Sequence, residues 1–83
     1  MKITLCLFAS VRELVGTGRE ELSLPAGVVT VGALRAHLAA RGGAWQTAMA
    51  GQLRMASNKV MCGEETVLSE GAEIAFFPPV TGG

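Results

Sequence analysis

The clearest helical signal in the chain runs from about Val31 to Arg41, and it limits what the rest can build. Val31, Leu34 and Leu38 recur at helical spacing, Thr30 can cap the start and Gly42-Gly43 ends the run. A helix of this kind has one apolar stripe, which needs a partner surface. The flanking sequence offers strands for that surface. From Ile3 to Phe8 the chain alternates, with Ile3, Leu5 and Leu7 in one phase and Thr4, Cys6 and Phe8 in the other. From Ala72 to Phe77, Ile74 and Phe76 alternate against Glu73, Ala75 and Phe77. With 83 residues there is room for one core. The economical packing is one sheet with one long helix across it, an α+β fold.

The other segments fit between these anchors. Ser10-Val11-Arg12-Glu13 has the capping-box pattern and predicts a short helix through about Val15, ended by Gly16 and Gly18. Glu20 to Leu24 reads as a second strand, hairpin-related to the first, and Pro25-Ala26-Gly27 breaks it. Ala44 to Ala50 allows a further helical turn. Leu53 to Ser57 and Val60 to Cys62 read as strands around an Asn58-Lys59 turn, although Ser57 stands where a buried aliphatic is usual. Thr66 to Leu68 is extended and Ser69-Glu70-Gly71 turns. Pattern alone leaves open whether the first and last strands run parallel or antiparallel; a crossover through the long helix is compatible with at least one parallel pair.

Composition removes several function classes. Seven Lys and Arg balance seven Asp and Glu, so the basic footprint of a nucleic-acid binder is missing. Hydrophobic residues make up 49% of the chain and charged ones 17%, enough to build a core. Cys6 and Cys62 belong to no CxxC or Cys/His cluster, which predicts free thiols in a reducing compartment and no metal site. The apolar stretch Ile3 to Ala9 is short for a secretory signal and meets Arg12 and Glu13 at once. No run approaches the ~20 residues of a membrane span. The expected setting is cytoplasmic, without a membrane partner.

The end of the sequence is its most informative part. Pro78-Pro79 blocks continuation of the last strand and stiffens its exit, and six residues from Pro78 to Gly83 can reach about 20 Å. This divides the chain into a domain over 1–77 and an extended, flexible tail over 78–83. Gly82 and Gly83 lack Cβ atoms, so a partner's groups can close around the last carboxylate. That carboxylate is ionised at neutral pH and is a poor electrophile until an oxygen becomes a leaving group. Adenylation by a partner would activate it, after which a sulfur donor leaves a thiocarboxylate or an amine leaves an amide. Both chemistries stay open on these residues, as does a tail that does nothing.

Phe8-Ala9-Ser10-Val11-Arg12-Glu13-Leu14 and the ending Phe76-Phe77-Pro78-Pro79-Val80-Thr81-Gly82-Gly83 resemble the MoaD family, the sulfur-carrying small subunits of molybdopterin synthase. The resemblance spans essentially the whole chain. It implies a ubiquitin-like β-grasp fold and a non-catalytic carrier with no permanently bound cofactor. In the implied cycle Gly83 is adenylated at the expense of ATP by an E1-like enzyme of the MoeB type and converted to a thiocarboxylate. The tail, Pro78, Pro79, Val80, Thr81, Gly82 and Gly83, then enters a MoaE-type large catalytic subunit. There the sulfur passes to cyclic pyranopterin monophosphate, and two carriers serve one pterin, commonly in a heterotetramer. The related readings are a sulfur carrier for thiamine or cysteine synthesis and a ubiquitin-like protein modifier.

The strand phases add a docking surface. Phe8 and Phe77 fall opposite the aliphatic core residues of their strands, which predicts aromatic side chains on the outer sheet face, a common mark of a partner site. The resemblance places Met61 beside them. Among the remaining candidates, His37 lies mid-helix with no second catalytic group placed by motif, Cys6 and Cys62 read as ordinary strand residues, and Arg12 faces solvent, a nucleotide or an acidic partner.

Overall fold

Ile3, Leu5 and Leu7 of the opening strand join the main core while Cys6 between them does not, which settles which side of the sheet the helices cover. In the computed structural model, which describes residues 1–79, the order is β1 (Lys2–Leu7), α1 (Ala9–Val15), β2 (Arg19–Ser23), α2 (Val31–Ala39), α3 (Gly43–Ala50), β3 (Arg54–Ser57), β4 (Val60–Cys62) and β5 (Glu73–Phe77). Ile3, Leu5 and Leu7 of β1 are buried together with Leu22, Met55, Ile74 and Phe76 from the neighbouring strands. Val31, Leu34 and Leu38 of α2 lie against them, each at 0% exposure. The expected phases of β1, α2 and β5 are those observed, and the α+β class holds.

The five strands form one sheet in the order β2-β1-β5-β3-β4. β1 and β5 pair in parallel, and all other neighbours are antiparallel. The direction left open by pattern is thus parallel. Parallel neighbours need a long crossover, and everything from β2 to β4 serves as one. Backbone bonds at both ends fix the pair: the Thr4 N–H donates to the Ala72 carbonyl at 2.9 Å and the Phe8 N–H to the Phe76 carbonyl at 3.3 Å.

Three local expectations need correction or extension. Ser10 does not cap α1: the N-cap is Phe8, with no side-chain cap bond, and Ser10 sits within the first turn. Phe8 is still extended, held by Phe76, and Ala9 at φ 51° turns the chain at once, so the helix starts ahead of the serine. This start directs Val11 into the core. The single long helix is also too simple a picture, since α3 has 8 residues against 9 in α2. Gly42 and Gly43 at φ 76° and 55° separate the two, and the Arg35 Nε–H donates to the Met49 carbonyl at 2.7 Å, tying the end of α3 to α2. Thr66 to Leu68, finally, contributes only an isolated bridge from Val67 to Thr30.

The expected caps and turns elsewhere hold. The Thr30 hydroxyl accepts from the Ala33 N–H at 3.1 Å. Asn58 and Lys59 both have positive φ, 50° and 68°, as a two-residue primed turn requires. Asn58 also grips the start of β5, its N–H donating to the Glu73 carbonyl at 2.8 Å and its Oδ1 accepting from the Glu73 N–H at 2.9 Å. Strand β5 stops at Phe77, and Pro78 and Pro79 follow it outside the sheet.

One ion pair links β2 to the helices. Arg41 donates to both carboxylate oxygens of Glu20, at 3.1 and 2.7 Å, and its guanidinium lies 4.5 Å from the centre of the Trp45 ring. The hydrogen bonds from Arg41 hold the Glu20 carboxyl below the usual glutamate range, outweighing its partial burial. A depressed carboxylate stabilises the fold above the unfolded pKa and loses that contribution as the pH falls through its folded value. Thermal melts of Glu20→Gln and the parent are therefore expected to differ at pH 7, by roughly 0.5 to 1 kcal/mol for a pair at the surface. They are expected to converge as the pH drops below the glutamate range. A difference that persists at pH 2 to 3 contradicts this role.

Candidate functional site

The sheet face turned away from the helices carries the residues singled out in the sequence. Strand register makes its floor continuous: Cys6 stands beside Ala75, Ala75 beside Ala56, and Ala56 beside Met61, across four adjacent strands. Three of these side chains are small, and Cys6 and Ala56 are only 5% and 8% exposed, yet neither joins the helix-covered core. Taller neighbours flank them. At the next outward position along β5 is Phe77, half-buried, with Arg54 paired to it on β3.

Phe8 continues the run of β1 one residue past its end. Its extended backbone and its bond to Phe76 place it at the register position beside Phe77, and it is 50% exposed. Met61, 56% exposed, lies on β4, two strands from β5 and so about 10 Å across the sheet. The three predicted docking residues thus share one face, with Phe8 and Phe77 as neighbours and Met61 across the alanine floor. The cause lies in the fold: parallel pairing brings the ends of β1 and β5 together, so both aromatics arrive at the edge from which the tail leaves.

Pro79 marks that exit. It lines an open groove of about 500 Å³ with Arg35 of α2, Arg54 at the start of β3, Met61 and Cys62 of β4, and Glu64. Arg35 is already engaged, by the bonds to α3 and by Glu64 at 3.9 Å. Pro78 and Pro79 are half-buried beside the patch. The predicted tail residues Val80, Thr81, Gly82 and Gly83 lie outside the described residues.

Other candidates are placed away from any shared chemistry. Cys6 and Cys62 are free thiols, as expected. Burial first and Glu73 second raise the pKa of the Cys6 thiol, against the lowering effect of Arg19. A raised pKa keeps it protonated, in line with a small apolar floor residue. His37 is half-buried on α2 with no side-chain hydrogen bond among the described residues. Arg12 lies across Gly18, its Nε 2.9 Å from where a Cβ would stand, and so belongs to the turn after α1 rather than to the patch. No group of His, Cys, Asp and Glu able to hold a metal occurs among the described residues, and no helix among them is long and apolar enough to cross a membrane.

Sequence reasoning missed the alanine floor, Arg54 and the groove. Ala56 and Ala75 sit in the right phase of their strands, but their adjacency depends on β5 lying between β1 and β3. No local pattern states that order.

The ThiS family model matches residues 5–83 of the chain. A molybdopterin synthase sulfur carrier subunit from Escherichia coli (strain K12) is 46% identical over 82 residues, spanning 98% of this chain and 99% of the relative. Two solved structures share the fold. The small archaeal modifier protein 1 from Methanosarcina acetivorans superposes with a TM-score of 0.77 at 24% identity, covering 99% of this chain and 96% of the other. A chain from the protein–protein complex of subunits 1 and 2 of molybdopterin-converting factor from Helicobacter pylori 26695 gives 0.70 at 21% identity, covering both chains fully. These two likenesses establish a ubiquitin-like β-grasp fold and nothing finer.

Proposed function

The chain belongs to the family of molybdopterin synthase sulfur carrier subunits, and on that premise we propose that it carries sulfur as a thiocarboxylate on Gly83 for molybdopterin synthesis. The observation that carries this reading is the full-length identity of 46% to a sulfur carrier subunit, together with a family match that runs through Gly83. The cycle needs no catalytic side chain from the carrier. A Gly83 carboxylate oxygen attacks the α-phosphorus of ATP on an E1-like enzyme, and pyrophosphate leaves. A sulfide-equivalent donor then attacks the acyl carbon and expels AMP, giving the thiocarboxylate. In the large catalytic subunit the sulfur attacks an oxygen-bearing carbon of cyclic pyranopterin monophosphate, a C–S bond forms as that carbon's C–O bond breaks and the oxygen departs protonated, and water cleaves the resulting thioester. Sulfur stays on the pterin and the carboxylate returns for another round; a dithiolene takes two rounds. The ATP requirement fits a cytoplasmic setting for the cycle.

The outer sheet face is the docking surface in this reading, with Phe8, Phe77 and Met61 as its apolar anchors and Pro78-Pro79 guiding the tail into the partner. The Helicobacter pylori structure holds two subunits of a converting factor in one complex, which supports a large subunit as the partner here. Phe77→Glu puts a charge at the centre of the patch. It is expected to weaken binding to the large subunit from the same organism by tenfold or more, the scale of an interface anchor, while the circular dichroism spectrum and melting temperature stay near the parent's. Unchanged affinity in calorimetric titration contradicts the docking assignment.

The reading as a whole is tested by reconstitution. Carrier loaded in the presence of ATP, an E1-like enzyme and a sulfur donor is mixed with the large subunit and cyclic pyranopterin monophosphate. Molybdopterin is expected, in an amount set by the carrier supplied. Slower-migrating conjugates with lysines of other proteins, and no molybdopterin, would indicate a protein modifier instead.

A further inference from the structure

Arg54 is the one charged side chain at the root of the tail that the described structure leaves without an ion pair. Arg19 lies 3.7 Å from Glu73, Arg35 3.9 Å from Glu64 and Arg41 2.7 Å from Glu20, but no carboxylate among the described residues pairs with Arg54. Its neighbours on the outer sheet face, Phe77 and Ala56, are apolar, and the one carboxylate that lines its groove, Glu64, pairs with Arg35. Arg54 is directly opposite Phe77 on the adjacent strand, in phase with Ala56 on the outer face, and it lines the groove with Met61 and Pro79. Any protein that covers Phe77 and Met61 must cover the space between them, and Arg54 lies in it.

Removing a guanidinium from water costs several kcal/mol unless an anionic group replaces the lost hydration. Arginine presents a planar fork of donors that matches a carboxylate. We infer that Arg54 is a specificity-determining residue of the docking surface, recognising an Asp or Glu carboxylate that the large subunit presents beside the mouth of its tail channel. The inference rests on the docking reading above and adds a charge requirement to it. A partner with an apolar or basic group at that place would leave Arg54 buried and unpaired, so the contact excludes such partners as well as favouring the right one. Local chain geometry fixes the point from which the side chain extends: Arg54 is the first residue of β3, itself exposed, and its neighbour Met55 is anchored in the core at 8% exposure.

The test is titration of the intact carrier with the large subunit from the same organism, at about 50, 150 and 400 mM NaCl, spanning strong to weak screening. The proteins compared are the parent, Arg54→Leu, Arg54→Glu and Phe77→Glu, each first shown to keep the parent's circular dichroism spectrum. At low salt the leucine variant is expected to lose roughly tenfold in affinity, because the partner's carboxylate is left unpaired, and the glutamate variant roughly a hundredfold. The parent's affinity is expected to fall with salt more steeply than that of the leucine variant. If Arg54→Leu binds as well as the parent with the same salt dependence while Phe77→Glu fails, the inference about Arg54 is overturned and the docking surface stands. If Phe77→Glu also binds like the parent, the docking reading falls and takes the Arg54 contact with it.

Discussion

Deleting Gly83 alone is expected to stop molybdopterin formation completely while the truncated chain still folds and still binds the large subunit. The residues proposed to dock, Phe8, Phe77 and Met61, are placed by strand register well before the chain's last residue. The core ends at Phe76. Loss of one glycine beyond Pro79 removes no buried side chain. It leaves Gly82 as the terminal carboxylate, one residue short of the reacting position, and a reach error of about 3.3 Å is ruinous where reacting atoms must meet at about 3 to 3.5 Å. Calorimetric titration and a reconstituted synthesis assay on the same sample separate the two properties. A truncated chain that still yields molybdopterin, or one that no longer binds, contradicts the division of labour between patch and tail.

The second large effect concerns the neighbour of a proposed docking residue. Phe76 and Phe77 are adjacent in sequence but point to opposite faces of β5, the first at 0% exposure in the core and the second half-buried on the outer face. Phe76→Ala is expected to cost about 3 to 5 kcal/mol, the range for emptying a buried aromatic site. A chain of 83 residues has roughly 4 to 12 kcal/mol in total, so the variant should be largely unfolded at 37 °C or melt at least about 12 °C lower. Denaturant unfolding of the two variants should therefore show opposite profiles. Phe76→Ala loses stability, and binding with it, whereas Phe77→Glu loses binding alone. Equal stability losses would mean that the two faces of β5 are not distinct as described.

This pair also shows how far the sequence was readable. Period-two alternation separated Phe76 from Phe77 and Ile3, Leu5 and Leu7 from Phe8 without any structure, because one-sided burial of a sheet imposes that period directly. Thr30 and the Asn58-Lys59 turn were legible for a similar reason, since each satisfies a local backbone requirement. Ser10 misled because a capping box is a local preference, and pairing of Phe8 with Phe76, a contact between chain ends, overrode it. Ala44 to Ala50 was legible as helical to within one residue of α3, but the bonds from Arg35 that hold its end were not, since no local signal states them. The same limit hid Arg54. Its phase on β3 could be read, but its place beside Phe77 comes from β5 lying at the centre of the sheet.

The central claim is that Gly83 receives the sulfur, and intact mass measurement tests it most directly. The carrier is incubated with ATP, an E1-like adenylating enzyme and a sulfur donor, beside a control lacking Gly83. The account predicts a mass gain equal to exchange of one oxygen for sulfur, in the parent only and dependent on ATP. No gain, with an enzyme shown to be active on another carrier of this family, contradicts it.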